Sequence, residues 1–256
     1  MHQLVKLFVV SAACLCSLQA QVSIAVVNSA SFLAKFPVAP GSLASAFPVG
    51  GNFAGVTQSI PVPPFPTQLN GVEVLINGVA APLVFTDPTQ INFQVRFATP
   101  SGPVPIRVTL NGQELATGVM DVLDVGPGIF VLDLLDVNKP GAILNEDNTV
   151  NSQAIAATRD SVIQVFATGQ GPALDGAVED GNFPPAGSLV RTTAPVKAYV
   201  SVDEAEVQFS GLAPTLPGVW QINIKIPNRP YIAGQVPLFV TINGISSNPV
   251  SLWVAP

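Results

Sequence analysis

Gly102 to Gly112 reads GPVPIRVTLNG, and Gly234 to Gly244 reads GQVPLFVTING. The two stretches stand 132 positions apart, and their likeness decides the fold. In the first, Val104, Ile106, Val108 and Leu110 alternate with polar or proline positions. In the second, Val236, Leu238, Val240 and Ile242 alternate with Gln235, Pro237, Phe239 and Thr241. A period of two puts one face of a strand in a core and the other in water. Each run ends in Asn-Gly, which supplies the positive φ angles of a two-residue hairpin turn.

Working backwards from each copy, the repeat extends. Ile91-Asn92-Phe93-Gln94-Val95 matches Ile222-Asn223-Ile224-Lys225-Ile226, and Ser42 to Phe47 (SLASAF) matches Ser161 to Phe166 (SVIQVF). In the first of these, Ile91, Phe93, Val95 and Phe97 take the core phase while Asn92, Gln94 and Arg96 take the water phase. Order is kept while the offset grows, as longer loops in the second copy would give. Gly211 to Gly218 is one such insertion, replacing the shorter Thr86 to Thr89. Asn77-Gly78 adds a third hairpin after Val72 to Ile76. Each copy thus offers about six or seven short strands, the pattern of a β-sandwich. The reading is an all-β chain of two tandem immunoglobulin-like β-sandwich modules, at 21–125 and 126–256. Their boundary falls near Gly126-Pro127-Gly128.

Composition agrees. Twenty-five prolines and 10% charged residues suit strands and turns rather than helices. The opening twenty residues read as an export signal: Lys6 gives the positive start, Leu7 to Leu18 the apolar centre, and Ala20 the cleavage residue. The expected product is secreted, extracellular or on the cell surface, and begins near Gln21. Cys14 after Ser11-Ala12-Ala13 offers a second outcome, lipidation at that cysteine. Residues 1–20 hold both cysteines and the single histidine, His2. The exported chain then has no disulfide and depends on its cores. The formal net charge is −6, with no basic run, which excludes nucleic acid as a natural partner and disfavours an anionic membrane.

The chain resembles a family of exported bacterial proteins, mainly acidobacterial, whose C-terminal region carries paired IPT/TIG-like modules. The resemblance rests on Val27 to Phe32 (VNSASF), Val38 to Leu43 (VAPGSL), Gln90 to Val95 (QINFQV) and Gly126 to Phe130 (GPGIF). It extends to Gly141 to Asn145 (GAILN), Phe166 to Gly171 (FATGQG) and Val240 to Asn248 (VTINGISSN). It covers nearly all of the chain after the signal. One departure is Arg159-Asp160, which stands where Pro-Gly is common. The family implies architecture and compartment, and no activity.

Without histidine or cysteine, Ser-His and Cys-His nucleophiles are excluded from the exported chain. Ser31 and Lys35 stand one residue further apart than the S-x-x-K pattern requires. Gly169-Gln170-Gly171 lacks a third glycine and a following helix, so a turn accounts for it. Glu73, Asp87, Glu114, Asp121, Asp203, Glu204 and Glu206 are available for a carboxylate-pair hydrolase, but the sequence does not place any pair at the required distance. Oxygen-rich stretches could hold Ca²⁺: Asn145, Glu146, Asp147 and Asn148 form one, and Asp175, Glu179 and Asp180 another. Neither has the order of an EF-hand, and turns favour these residues anyway. No other cofactor is indicated.

Among aromatics, Trp220 belongs to a core. Tyr231 in a proline-flanked loop and Trp253 in the last strand are the candidate contact residues. The reading of function is a non-enzymatic extracellular protein for surface interaction, adhesion or assembly. Its partner would be an extracellular protein or polysaccharide. Carbohydrate binding through Tyr231 and Trp253 is the alternative, and carboxylate-pair hydrolysis a third.

Overall fold

The computed structural model describes residues 22–33 and 37–256. The expected export signal at 1–20, with Cys14, and Lys35 of the Ser31–Lys35 pair lie outside the described residues. Those residues form seventeen strands and no helix.

In the first copy the strands are β1 (Val22–Asn28), β2 (Leu43–Val49), β3 (Val72–Ile76), β4 (Val79–Ala80), β5 (Leu83–Asp87), β6 (Gln90–Gln94), β7 (Gly102–Leu110) and β8 (Gln113–Val122). Antiparallel pairing links β1–β2–β6–β5 in one layer and β4–β3–β7–β8 in the other. A short parallel pairing of Val22 and Ser23 with Ala116 and Thr117 joins them. That order is the immunoglobulin arrangement of two facing sheets. Between them lie Ile24, Phe53, Val74, Leu83, Phe93, Ile106 and their neighbours.

The second copy contains β9 (Gly128–Ile129), β10 (Ile143–Leu144), β11 (Val162–Thr168), β12 (Val196–Val200), β13 (Asp203–Leu212), β14 (Trp220–Lys225), β15 (Gly234–Ile242), β16 (Ile245–Ser246) and β17 (Val250–Val254). One layer is β9 and β10 on β11, then β14 and the second half of β13. The other is the first half of β13, then β12, β15 and β17. Strand β13 thus passes from one layer to the other, with its register shifting between Val207 and Phe209. Trp220, fully buried, centres this core, and its indole N–H donates to Ser210 Oγ at 2.8 Å.

The repeated segments occupy equivalent strands: β2 with β11, β6 with β14, β7 with β15. The three Asn-Gly pairs take the expected left-handed angles, with φ of 49° and 81° at 77–78, 50° and 79° at 111–112, and 49° and 79° at 243–244. Asn70-Gly71, which the sequence reading passed over, closes a fourth tight turn between Leu69 and Vаl72. Asp160, at φ 66°, holds the left-handed position that glycine takes more readily.

Two separate cores result, one drawn from residues 24–122 and the other from 125–254. Hydrogen bonds run between them. Asn28 Nδ2 donates to Gly126 O at 2.9 Å, and Leu43 N–H donates to Thr168 Oγ1 at 2.9 Å. A loop of the second module reaches back further: Phe65 N–H donates to Gly181 O at 2.8 Å, and Gly181 N–H donates to Gln94 Oε1 at 2.5 Å. Gln94 therefore leaves the water phase that its alternation assigned to it and is buried. The second module covers that end of β6, so a polar side chain there meets protein partners instead of solvent.

The outer strands are short or sealed. Strands β4, β10 and β16 are two residues each. Ser59 pairs with Thr86 along β5. On β17, the groups facing away from β15 are taken by Lys139, Gly141, Asn151 and Ala157.

Candidate functional site

Alternation along β12, β15 and β17 sends Ala198, Val200, Leu238, Val240, Leu252 and Val254 inward. The opposite phase places Tyr199, Phe239 and Trp253 on the outer face of the same layer. Cross-strand register sets Tyr199 opposite Phe239 and Gln235 opposite Trp253. The Tyr199 and Phe239 rings stack at 4.8 Å between centroids, 13° from parallel. Beside them Lys197 Nζ lies 3.0 Å from Glu204, whose carboxylate raises the lysine pKa through that hydrogen bond. Trp253 is half-buried, and Asn151 holds its backbone: Trp253 N–H donates to Asn151 Oδ1, and Asn151 Nδ2 to Trp253 O, each at 2.8 Å.

The first module differs on the equivalent face. Where β15 carries Phe239, β7 carries Arg107, 3.6 Å from Glu114. The aromatic face belongs to the second module alone. Tyr199 and Phe239 were not singled out from sequence, although for Phe239 the signal was there: it is an aromatic residue in the water phase of a strict alternation.

At the end of the second module away from the first, the β14–β15 loop presents Tyr231, 58% exposed. Ile232, fully buried, anchors the loop, and its carbonyl accepts from Arg159 at 3.3 Å. Tyr231 Oη donates to Asp203, which raises the phenol pKa, and Arg229 Nε lies 3.9 Å from the same carboxylate. Val202, in the adjacent β12–β13 turn, is 82% exposed. Tyr231 thus lies on the β14–β15 loop and Trp253 on β17, opposite Gln235 near the start of the strand into which the loop leads.

Of the proposed calcium ligands, Asn145, Asp147, Asp175, Glu179 and Asp180 are engaged by protein groups. Asp147 Oδ1 accepts from Thr149 Oγ1 at 2.6 Å and from Thr149 N–H at 3.0 Å, and the hydroxyl bond first of all lowers its pKa. Asn145 donates to Thr149 and to Ile155 O and accepts from Asn151. Glu146, beside them, is exposed. Asp175 accepts from Arg191 N–H at 2.6 Å, and Glu179 from Asn182 at 3.4 Å. Asp180 turns to the other module, where Phe97 N–H donates to it at 2.8 Å and Arg96 Nε lies 3.4 Å away. Among the described residues no three Asp, Glu, His or Cys side chains gather in a way that would hold a metal ion.

Of the other carboxylates, Glu204 and Glu206 share the exposed phase of β13, and several are engaged by neighbours. Asp87 caps Thr89, which lowers its pKa, Glu73 accepts from Thr109 at 3.4 Å, and Glu204 and Glu114 face basic partners. Gly169-Gln170-Gly171 packs on the linker. A Cβ at Gly169 would stand 1.8 Å from Gly126 O, and one at Gly171 2.1 Å from Asp124 O. Close backbone approach, not phosphate, accounts for these glycines.

No family model matches the chain, and no curated protein matches it. Several solved structures are similar to it at a distance. A glycosyl hydrolase family 2 member from Bacteroides cellulosilyticus is 10% identical over 92% of this chain, with a TM-score of 0.25, and the chain spans only 28% of that protein. Tandem Ig domains of titin are 8% identical over 86% of this chain and 90% of theirs, with a TM-score of 0.22. Domains 5–6 of the S-layer protein SbsC are 15% identical over 91% of this chain and 96% of theirs, with a TM-score of 0.23. Likeness of this order carries no argument about what the chain does. Among the described residues no helix is long and apolar enough to cross a membrane.

Proposed function

We propose that this is a non-enzymatic extracellular protein whose work is surface interaction, adhesion or assembly. The observation that carries the reading is the contrast between the two copies. The second module has Tyr199, Phe239 and Trp253 on an outer sheet face where the first has the Arg107–Glu114 pair. Aromatic side chains with one face in solvent are favoured contact anchors. The sealed outer strands direct binding to side chains on faces and loops rather than to strand addition. The lack of imidazole and thiol after residue 20 supports a role without catalysis.

Carbohydrate binding is the second reading, favoured by exposed Tyr231 with Asp203 and Arg229 beside it. Stacking of Tyr199 on Phe239 occupies ring faces that a sugar would need, so this reading rests on Tyr231 and Trp253.

Capture from the native outer surface, run beside a saccharide array, tests both. A protein partner lost in Phe239→Arg supports the first reading. Saturable saccharide binding lost in Tyr231→Ala or Trp253→Ala supports the second. Turnover of glycosides or esters by the purified protein would sink the non-enzymatic reading.

A further inference from the structure

Alternation along β6 and β14 turns Gln90 and Asn92 away from the first core and Gln221 and Asn223 away from the second. In each copy the glutamine amide holds the asparagine: Gln90 Nε2 donates to Asn92 Oδ1 at 2.7 Å, and Gln221 Nε2 to Asn223 Oδ1 at 2.9 Å. The neighbouring strand completes the likeness. Register sets Phe85 opposite Asn92 and Phe209 opposite Asn223, each just past a shift in pairing. The second copy builds further on this frame. Gln221 Nε2 also donates to Gln164 Oε1 at 3.2 Å, and Gln164 Nε2 to Asn148 Oδ1 at 2.8 Å, where the first copy has buried Ser45 opposite Asn92. Both N–H groups of the Gln221 amide are then engaged, which fixes its orientation. Its Oε1 is left as an acceptor, and the Asn223 Nδ2 hydrogens as donors, on the same outer face.

Arg191 stands with them. Its guanidinium lies over the Phe209 ring, 5.0 Å from the centroid. Among the described residues it joins no ion pair, and Asp175 accepts its backbone N–H rather than its side chain. Stacking occupies the face of a guanidinium and leaves its edge, a planar fork of N–H groups, for a carboxylate. Arg191, Phe209, Leu189, Pro214, Gln221 and Asn223 together line a hollow of about 230 Å³. A second of about 220 Å³ shares Arg191 and Phe209 and adds Thr192, Gln208 and Ser210. Among the described residues, Arg191 is the one charged group lining either. The first hollow is smaller than the ~300–1,000 Å³ of sites for drug-sized ligands, which suits a single small ring.

We propose that this hollow takes one uronic-acid residue of an acidic polysaccharide. The sugar carboxylate meets the edge of Arg191. A ring hydroxyl, donor and acceptor at once, gives its hydrogen to Gln221 Oε1 and receives one from Asn223 Nδ2. The C–H face of the ring covers Leu189 and Pro214, so apolar area is buried along with the polar contacts. Charge complementarity selects the carboxylate, since the lining carries one unpaired cation and no anion. The net charge of −6 opposes a polyanion at long range, but a Debye length of about 8 Å at physiological salt leaves the local sign to decide. This site rests on the carbohydrate reading above for its kind of ligand. It lies in the layer of β11, β13 and β14, whereas Trp253 belongs to the layer of β15 and β17.

Calorimetric titration of the purified protein with galacturonate, glucuronate and mannuronate oligomers tests it. At least one is expected to bind saturably and to bind more weakly as salt is raised. Methyl esterification of that oligomer removes its charge, and Arg191→Gln removes the cation. Each should weaken binding at least about tenfold, as loss of a charge-assisted pair implies. Asn223→Asp keeps the acceptor for Gln221 but puts a carboxylate where the donors were, so it should weaken binding by a similar factor. Both variants change side chains on an outer face, and circular dichroism checks that each stays folded. Absence of saturable binding by all three oligomers overturns the proposal. So does equal binding of the esterified oligomer, or unchanged binding in Arg191→Gln. An oligoglutamate that binds as tightly as the best saccharide also overturns it, by giving the hollow to an acidic peptide. Saccharide binding lost in Tyr231→Ala or Trp253→Ala but kept in Arg191→Gln overturns this site and leaves the carbohydrate reading standing. Binding lost in Arg191→Gln and kept in both aromatic variants supports this site and takes that reading off the aromatics.

Discussion

Replacing Asp180 with alanine should uncouple the two modules. Its carboxylate accepts the Phe97 N–H at 2.8 Å and faces Arg96 Nε at 3.4 Å, with the Asp180 side chain 19% exposed and that of Arg96 32%. A hydrogen bond to a charged group contributes roughly 1.5–3 kcal/mol. A partly exposed ion pair adds about 0.2–1 kcal/mol after screening. The alanine variant should therefore lose about 2–4 kcal/mol, while Asp180→Asn, which keeps an acceptor for Phe97, should lose little more than the ion-pair part. Both tryptophans, Trp220 and Trp253, lie in the second module. Fluorescence during urea unfolding therefore follows that module alone, and far-ultraviolet circular dichroism follows both. In the wild type the two signals should trace one transition. In Asp180→Ala the dichroism curve should broaden and separate from the fluorescence curve. Coincident curves with a loss below about 0.5 kcal/mol would refute the reasoning, since that is the range of an ordinary surface substitution.

Three further outcomes follow from the same geometry. Gly169→Ala would drive a Cβ to within 1.8 Å of Gly126 O at a φ of 89°, so it should destabilise by several kcal/mol, whereas Gly187→Ala, with open space around its Cβ, should cost much less; thermal melts compare them. Tyr231 has its pKa raised by Asp203, so its contribution is complete below the ordinary tyrosine value of 10.0 and fades as pH climbs through the higher folded value. Tyr231→Phe should remove that alkaline dependence, and an ultraviolet titration of the phenol reads it directly. Asp147 and Asn145 already serve Thr149, Ile155 and Asn151, so millimolar Ca²⁺, or its removal by a chelator, should leave the melting midpoint in place; an upward shift lost in Asp147→Asn would show that calcium displaces those bonds.

Much of the fold could be read in advance because its signals are local. Asn-Gly pairs fix turns through the φ angles they tolerate, and alternation fixes which side of a strand faces inward. The matching stretches 102–112 and 234–244 fix the duplication. What escaped was non-local. Gln94 follows the alternation of a solvent-facing residue, and only the arrival of the second module buries it. Asp180 stands among turn-forming acids, with nothing in its neighbours to mark a partner 84 positions away at Arg96. For the candidate site, Trp253 and Tyr231 were legible as aromatics out of step with the core. Phe239 was equally legible but stood inside a strand read only for its buried phase, and Tyr199 lies in β12, which carries no turn signal or repeat match to mark it as a strand.

The closed outer strands have a consequence for how such a molecule changes over generations. A protein that recognises its partner by adding a strand depends on a whole segment of backbone, and a new partner must match that segment in register. Here the backbone edges are spent on the molecule itself, and contact falls to individual side chains on a rigid frame. Each such position can be exchanged singly without disturbing either core, as Arg107 and Phe239 already differ between copies of one ancestral strand. Under the interaction role proposed above, recognition built this way would diversify one residue at a time.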